Sequence, residues 1–136
     1  MLERIIALSF FLIMTYILVR RLYASKIISN GSLPFEIDNI NPALPTIIYF
    51  WTEQCAQCNS VQKPVILKLK EEGNEFNFIS YNAIKELDIT KYLNIKTVPS
   101  TVVLNHEKKI NYINSGYTAG KILKEQLNEL HRKMLE

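Results

Sequence analysis

The residues of this chain best suited to chemistry are its two cysteines, Cys55 and Cys58, which form one C-x-x-C motif. A run of strand-forming residues, Thr46–Trp51, ends shortly before the motif, and a helical pattern begins at Cys55. The amino-terminal end of a helix has unpaired N–H groups and a partial positive charge, and both stabilise a negative sulfur. This position therefore favours the reactive thiolate form of Cys55.

The spacing of the two cysteines suits thiol–disulfide exchange. Two intervening residues place Cys58 within one helical turn of Cys55 and further inside the helix. Cys55 can then attack a substrate disulfide, and Cys58 can resolve the mixed disulfide that results. Three other interpretations stay open: two ligands of a metal-binding or metal-delivery domain, for example for Cu(I), two inert core cysteines, or a non-catalytic tether that keeps the fold for protein binding.

Composition restricts the class of protein further. With 136 residues, 48% of them hydrophobic and 21% charged, the chain suits one globular domain rather than a disordered protein. Two cysteines exclude a multi-disulfide scaffold, and they allow a closed zinc site only if both histidines join them. A formal net charge of +3 is too small to indicate nucleic-acid binding, so we expect no nucleic-acid partner.

From Thr46 onward the pattern predicts the order strand, helix, strand, helix, strand, strand, helix. The predicted strands are Thr46–Trp51, Phe76–Tyr81, Thr101–Leu104 and Lys109–Ile113. The predicted helices run from Cys55 to the Glu71-Glu72-Gly73 stop, from Ile84 to Leu93 and from Ala119 to Leu135. The first strand–helix–strand unit implies a parallel pair, and the later hairpin adds antiparallel strands. We therefore expect an α/β domain with a mixed four- to five-stranded sheet flanked by helices.

Apolar spacing also predicts which residues face the core. In the first helix of the domain, Val61, Val65 and Leu69 recur at a spacing of four. The apolar face of the last helix is predicted to contain Ile122, Leu123, Leu127, Leu130 and Met134. Before the domain, residues 27–45 contain turn and extended-chain signals, within which Leu33–Ile37 is predicted as a short edge strand.

An uncharged apolar run, Ile5–Val19, lies near the amino terminus. As a helix it spans about 22 Å, short of a ~30 Å hydrocarbon core, and the apolar residues on either side close most of the gap. The directly following Arg20 and Arg21 argue against a buried core helix, and no small-residue cleavage site follows the run as in a signal peptide. We predict a transmembrane helix through residues 2–23.

This prediction divides the chain into three parts. They are a transmembrane anchor at 1–26, a linker at 27–45 and a folded domain at 46–136. The protein is then a single-pass membrane protein. One basic residue, Arg4, precedes the apolar run, whereas Arg20, Arg21 and Lys26 follow it, so the positive-inside rule favours a cytoplasmic domain. Many anchored thiol proteins work outside the cytoplasm, and an extracytoplasmic domain stays open.

Two segments resemble the thioredoxin family. Trp51–Asn59, W-T-E-Q-C-A-Q-C-N, is similar to the family's active-site segment W-x-x-x-C-G-P-C-K. Thr97–Thr101, T-V-P-S-T, resembles the family segment that contains a cis proline, and Pro99 follows Cys58 by 41 residues, close to the family's separation. The resemblance implies a thioredoxin-like fold in which a cis Val98–Pro99 bond lies beside the cysteine pair.

The resemblance covers about residues 46–134 and implies a thiol–disulfide oxidoreductase that reduces protein disulfides. Its implied substrate-binding residues are Trp51, Val98 and Pro99. Because proline has no N–H, the backbone of Val98 is left free to pair with an extended substrate strand. The implied partners are protein disulfides or dithiols and a thiol reductase or other electron donor, with no cofactor and no metal.

Some positions depart from the family pattern. Tyr49 stands six residues before Cys55, where the family has a buried aspartate that accepts the proton of the resolving thiol, and Ser80 stands where its partner lysine often lies. Tyrosine titrates near ~10 and is a poor base at neutral pH. We therefore expect the proton relay to be missing or to run through water or Glu53. Pro64 also comes one residue later than the family's helix proline.

Overall fold

The computed structural model describes residues 8–19, 33 and 36–136. Residues 8–19 are helical (α1), and large apolar side chains on this helix are exposed, among them Phe10 at 68% and Phe11 at 69%. No helix within the described residues is both long enough and apolar enough to cross a membrane. Of the predicted anchor, residues 1–7 and 20–26 lie outside the described residues.

Four strands form one mixed sheet in the order β2-β1-β3-β4. The strands are β1 (Thr46–Trp51), β2 (Asn77–Asn82), β3 (Ser100–Leu104) and β4 (Ile110–Ser115). Strand β1 runs parallel to β2 and antiparallel to β3, which in turn pairs antiparallel with β4. The mixed α/β architecture predicted from the sequence is confirmed, with four strands in the described residues, whose ends agree with the predicted ones to within two residues. The helix predicted from Ile84 begins three residues later, at Leu87.

Three helices and one widened turn cover the sheet. They are a π-helical turn (Cys58–Gln62), α2 (Lys63–Glu71), α3 (Leu87–Tyr92) and α4 (Gly120–Leu135). Residues 56 and 57 are already helical and the π-helical turn leads directly into α2, so the second cysteine lies in the first turn of one continuous helical segment. After α2 the chain turns at Gly73, whose φ of +85° is a conformation that glycine adopts without a Cβ clash.

The central strand β1 divides the core into two clusters, because its run of apolar and aromatic residues is buried on both faces. Ile47 and Tyr49 belong to the cysteine-side cluster, together with Cys58 and residues of α2 and α4. Ile48 and Phe50 belong to the α3-side cluster, together with residues of α3, β3 and β4. The cysteine pair therefore follows the carboxyl end of β1, an interior strand of the sheet.

The prediction of which residues are buried in the first helix of the domain is partly wrong. Val61 is 40% exposed and Val65 is half-buried, whereas Gln62 and Ile66 are buried at 0% and 1% exposure. The π-helical turn explains the difference, because it advances by less angle per residue than an α-helix and so brings later positions onto the buried face. Leu69, at the far end of α2, is buried as predicted.

Two further expectations need correction. In α4, Ile122 and Met134 are 46% and 41% exposed, so the buried face is narrower than predicted and consists of Leu123, Leu127 and Leu130. In the predicted edge strand Leu33–Ile37, the described residues 33, 36 and 37 have no strand structure. Ile37 is instead buried in the α3-side cluster, where hydrophobic contact rather than strand pairing holds the segment.

Candidate functional site

The cysteine pair follows β1 across a short turn. Strand β1 ends at Trp51, and the N–H of Cys55 donates to the carbonyl of Thr52 at 3.2 Å. The carbonyl of Cys55 then accepts the N–H of Asn59 at 3.4 Å, as in the first turn of a helix. The predicted arrangement of strand, turn and helix start around Cys55 is therefore present.

Cys55 and Cys58 form a disulfide with an S–S distance of 2.07 Å and a Cα–Cα distance of 5.2 Å. The two residues differ in accessibility, because Cys55 is partly exposed and Cys58 is fully buried. The backbone N–H of Cys58 donates to Cys55 Sγ over 3.1 Å. A donor directed at this sulfur is available to stabilise negative charge on it after reduction.

The predicted substrate-binding residues lie close to the cysteines in the fold. Trp51 and Val98 are half-buried and pack against the cysteine-side cluster, which contains Cys58. Ser100 pairs with Phe50 in the β1–β3 ladder, so the preceding residue, Pro99, lies beside the carboxyl end of β1. The Val98–Pro99 bond is cis, as the family resemblance implies. Contact of these residues with a substrate stays a prediction.

Tyr49 occupies the place of the family's buried acid. It is 1% exposed, and its O–H donates to the backbone carbonyl of Cys58 at 2.8 Å. Burial raises the pKa of Tyr49 to about 12, so the hydroxyl is protonated at neutral pH and acts as a donor rather than a base. Ser80 pairs with Tyr49 in the β1–β2 ladder but is exposed.

Glu53, the side chain suggested as an alternative proton acceptor, is engaged at the surface. Its carboxylate lies 3.0 Å from Lys85 Nζ, and the two side chains are 58% and 70% exposed. The structure therefore directs Glu53 towards Lys85 and solvent rather than towards Cys58. Such an exposed pair contributes at most about 1 kcal/mol to stability.

No Asp or Glu side chain is buried in the described part of the chain, so none lies in the core with Cys58. The cluster consists of aliphatic and aromatic residues, and its members besides the cysteines are Ile47, Tyr49, Trp51, Ile66, Leu69, Phe76, Phe78, Val98, Val103, Tyr112, Leu123, Leu127 and Leu130. Elsewhere in the part of the chain that the structure describes, no group of three or more His, Cys, Asp or Glu side chains is placed to hold a metal. The apolar cluster therefore supplies no carboxylate or histidine that could act as a base for a thiol at Cys58.

Sequence reasoning missed two features of the site. One is the π-helical turn at Cys58–Gln62, for which the late Pro64 is the available signal. The other is Gln62, which is fully buried and makes two hydrogen bonds with the backbone of Thr118. Its Nε2 donates to the Thr118 carbonyl at 3.1 Å, and its Oε1 accepts the Thr118 N–H at 2.7 Å. No local pattern identifies this pair, because the partners are 56 residues apart.

The fold and the disulfide together define an α/β domain with a C-x-x-C pair at the start of a helix. The sequence profile of the family described as Thioredoxin matches residues 30–129, which is well over half of the chain. The chain belongs to the thioredoxin family. A search of curated protein sequences found no match.

Solved structures share the fold at low sequence identity. Thioredoxin-2, described as a component of the malaria parasite protein secretion machinery, has a TM-score of 0.59 and 16% identity, covering 74% of this chain and 95% of that one. A mutant thioredoxin from Halobacterium salinarum has a TM-score of 0.58 and 15% identity, covering 64% and 74%. Chloroplastic thioredoxin z has a TM-score of 0.58 and 15% identity, covering 66% and 80%. At these identities the likeness concerns the fold alone.

Proposed function

We propose that this protein is a membrane-anchored thiol–disulfide oxidoreductase that reduces protein disulfides. The Cys55 thiolate attacks a substrate disulfide, so that a mixed disulfide forms and one substrate thiolate leaves. Cys58 then attacks Cys55 Sγ, which forms the Cys55–Cys58 disulfide and releases the second substrate thiolate. A thiol reductase or another electron donor returns the pair to the dithiol.

The observation that carries this proposal is the unequal placement of the two sulfurs of one disulfide. Cys55 is the accessible residue and receives the N–H of Cys58, whereas Cys58 is fully buried. An attacking thiol needs access and a stabilised thiolate, while a resolving thiol needs only to reach its neighbour. The assignment of attack to Cys55 and resolution to Cys58 follows from this difference.

Substrate binding is assigned to the residues beside the pair. Trp51 and Val98 are half-buried at the edge of the cysteine-side cluster, so each presents some surface to an incoming chain. Pro99 has no N–H, and the backbone of Val98 is proposed to pair with an extended substrate segment. A disulfide carried by that segment is then placed next to Cys55.

The anchor is part of the same proposal, with residues 1–26 in the membrane, 27–45 as a linker and 46–136 as the catalytic domain. Support comes from the uncharged run Ile5–Val19 and from α1, whose large apolar side chains are exposed. A helix that is apolar on all sides suits a lipid environment. The basic residues after the run favour a cytoplasmic domain.

Two serine variants test the reaction. Cys55→Ser is expected to abolish reduction of a disulfide-bonded test protein, because the nucleophile is lost. Cys58→Ser is expected to accumulate mixed disulfides through Cys55, which non-reducing gels and mass spectrometry detect. Wild-type activity in Cys55→Ser, or no trapped partner in Cys58→Ser, contradicts the assignment. Unchanged behaviour of the double variant in cells favours the non-catalytic tether instead.

Membrane fractions test the anchor separately. We expect the full chain to stay in the membrane pellet after alkaline carbonate extraction, because a spanning helix is not released by charge changes. Extraction into the soluble fraction contradicts the anchor. A membrane-impermeant thiol reagent, applied to intact and to opened vesicles after reduction, then reports on which side Cys55 lies.

A further inference from the structure

A widened helical turn begins at the second cysteine. The Cys58 carbonyl accepts the backbone N–H of Lys63, five residues further on, where an α-helix would use the N–H four residues on. A π-helical turn therefore accommodates one residue more than an α-helical turn. This extra residue accounts for the position of Pro64, one residue later than expected. Isolated π-helical turns are rare in proteins, and those that occur are often found at functional sites.

Buried side chains anchor this turn at both ends. At its first residue, the Tyr49 hydroxyl donates to the Cys58 carbonyl over 2.8 Å. At its last residue, the amide of Gln62 pairs with both backbone groups of Thr118 at 3.1 and 2.7 Å. Tyr49, Gln62 and Thr118 are 1%, 0% and 6% exposed, so water does not compete for these hydrogen bonds. The turn is thereby held between β1 and the loop that precedes α4.

The anchored residue also carries the donor that serves the nucleophile. The N–H of Cys58 lies 3.1 Å from Cys55 Sγ. Its N–H and its carbonyl are attached through one α-carbon, so a fixed carbonyl restricts the directions that the N–H can take. A hydrogen bond to a thiolate is charge-assisted and therefore stronger than one to a neutral sulfur. A fixed N–H at this position favours the reduced, ionised form of Cys55.

We propose that Tyr49 is a positioning residue for thiol exchange, which holds the Cys58 N–H on Cys55 Sγ through its hydrogen bond to the Cys58 carbonyl. The inference rests on the proposed exchange function and deepens it. Tyr49 stands where the family has a proton acceptor, yet it donates a hydrogen bond to the backbone of the resolving residue. Gln62 supports the same turn from its other end.

The protonation state of Tyr49 is compatible with this role. Burial raises the pKa of Tyr49 to about 12. Its O–H is therefore intact over the whole range in which a cysteine near a helix start ionises, roughly pH 3.5 to 8.5. Burial is the only cause of this raised pKa, with no contribution from a charged side chain; among the cluster's titratable members, Tyr112 directs its own hydroxyl to Glu129.

The variant Tyr49→Phe tests the proposal in the full chain, kept in detergent. It removes one oxygen and retains the ring, which stacks on Phe78 with centroids 6.3 Å apart. We expect the rate of Cys55 alkylation at pH 7 to fall about three- to tenfold, because less of the thiol is ionised. In exchange with glutathione at a higher pH, where the Cys55 thiolate predominates in both reduced proteins, the equilibrium should move towards the protein disulfide by the same factor, which corresponds to a reduction potential lower by about 15 to 30 mV.

Tyr112→Phe is the matched control. The Tyr112 hydroxyl is also part-buried and donates to Glu129 Oε2 at 2.5 Å, but it lies on β4 and bonds to α4 rather than to the cysteine turn. This variant should lose stability while alkylation and glutathione equilibrium stay at wild-type values. Wild-type values in Tyr49→Phe, or equal shifts in both phenylalanine variants, overturn the positioning role.

A second variant keeps the test decisive if Tyr49→Phe does not fold. Gln62→Leu releases the other end of the turn and is expected to shift both readouts in the same direction, by about two- to threefold. Unchanged readouts in a folded Gln62→Leu protein overturn the anchored turn. Alkylation of Cys55 needs no protein substrate, so it tests the positioning role independently of the proposed function. If the wild-type protein reduces no disulfide, that result contradicts the proposed function and leaves the alkylation test of Tyr49 valid.

Discussion

The two faces of the sheet differ in what they bury. The α3-side cluster includes Phe50 and Ile48 of β1, and the buried Thr90 of α3 bonds only to a carbonyl four residues before it, that of Glu86. The cysteine-side cluster also contains Tyr49 and Cys58, and the hydrogen-bonded Gln62 lies beside it at the same depth. Hydrophobic contact tolerates small shifts of position, whereas a hydrogen bond requires defined distances and angles. We infer that the α3 side contributes mainly to stability, whereas the cysteine side also fixes the geometry around Cys55 and Cys58.

The largest effect is expected on the α3 side. Phe50 is fully buried and lies against Tyr81 with ring centroids 5.9 Å apart. Phe50→Ala should lower the free energy of unfolding by about 3–5 kcal/mol, because it removes a large apolar side chain and leaves a cavity. Urea unfolding measures this loss. If the α3 side contributes only stability, Cys55 in the folded fraction of this variant reacts with alkylating reagent at the wild-type rate. A changed rate would show that the α3 side also controls the geometry of the cysteine site.

A smaller effect is expected from pH on the cysteine side. Burial raises the pKa of Tyr49 to about 12 from an unfolded value near 10, so the folded state holds its proton more tightly. The stabilisation is fully present below pH ~10 and is lost as the pH rises towards ~12, by about 2–3 kcal/mol for this group. Tyr112, whose pKa is also raised to about 12 by burial and by its bond to Glu129, contributes with the same sign.

Unfolding measured between pH 8 and 12 checks this prediction. The fall in stability above pH ~10 should be clearly smaller in Tyr49→Phe than in the wild-type protein, because phenylalanine has no proton to lose. An identical alkaline dependence in the two proteins would contradict the buried, protonated state of Tyr49 on which the comparison depends.

The smallest effect is expected at the surface ion pair near the cysteines. Glu53→Gln removes the charge that faces Lys85 while it keeps the shape of the side chain. Stability should change by less than about 1 kcal/mol, and the rate of substrate reduction should stay within about twofold across the pH range. Stopped-flow reduction of a test disulfide measures the rate. Slow resolution by the variant at neutral pH would instead identify Glu53 as the missing base.

Much of this architecture was predictable because its signals are local. The run Thr46–Trp51 is typical of a strand buried on both faces, and the C-x-x-C motif shortly after it defines the candidate site. The cis proline at Pro99 was predictable only from the family segment, since its own neighbourhood is equally typical of a proline at a strand start.

The features that were not predicted depend on contacts between residues far apart in the sequence, which no local pattern indicates. Periodicity assumes α-helical spacing, so it assigned Val61 to the core and missed the π-helical turn that turns Gln62 inwards. The burial of Gln62 makes sense only beside Thr118, which is far away in the sequence. Ile37 was predicted in a short edge strand from extended-chain signals, yet its packing against the α3 side decides its place.

The reduction potential of the Cys55–Cys58 pair tests the central claim most directly. The full chain is equilibrated in glutathione buffers of known potential, and alkylation then reports the fraction of reduced protein. The proposed reductant is expected to have a potential near or below about −270 mV, low enough to donate electrons to protein disulfides. A value between about −120 and −180 mV would contradict it, because such a pair oxidises or isomerises disulfides instead.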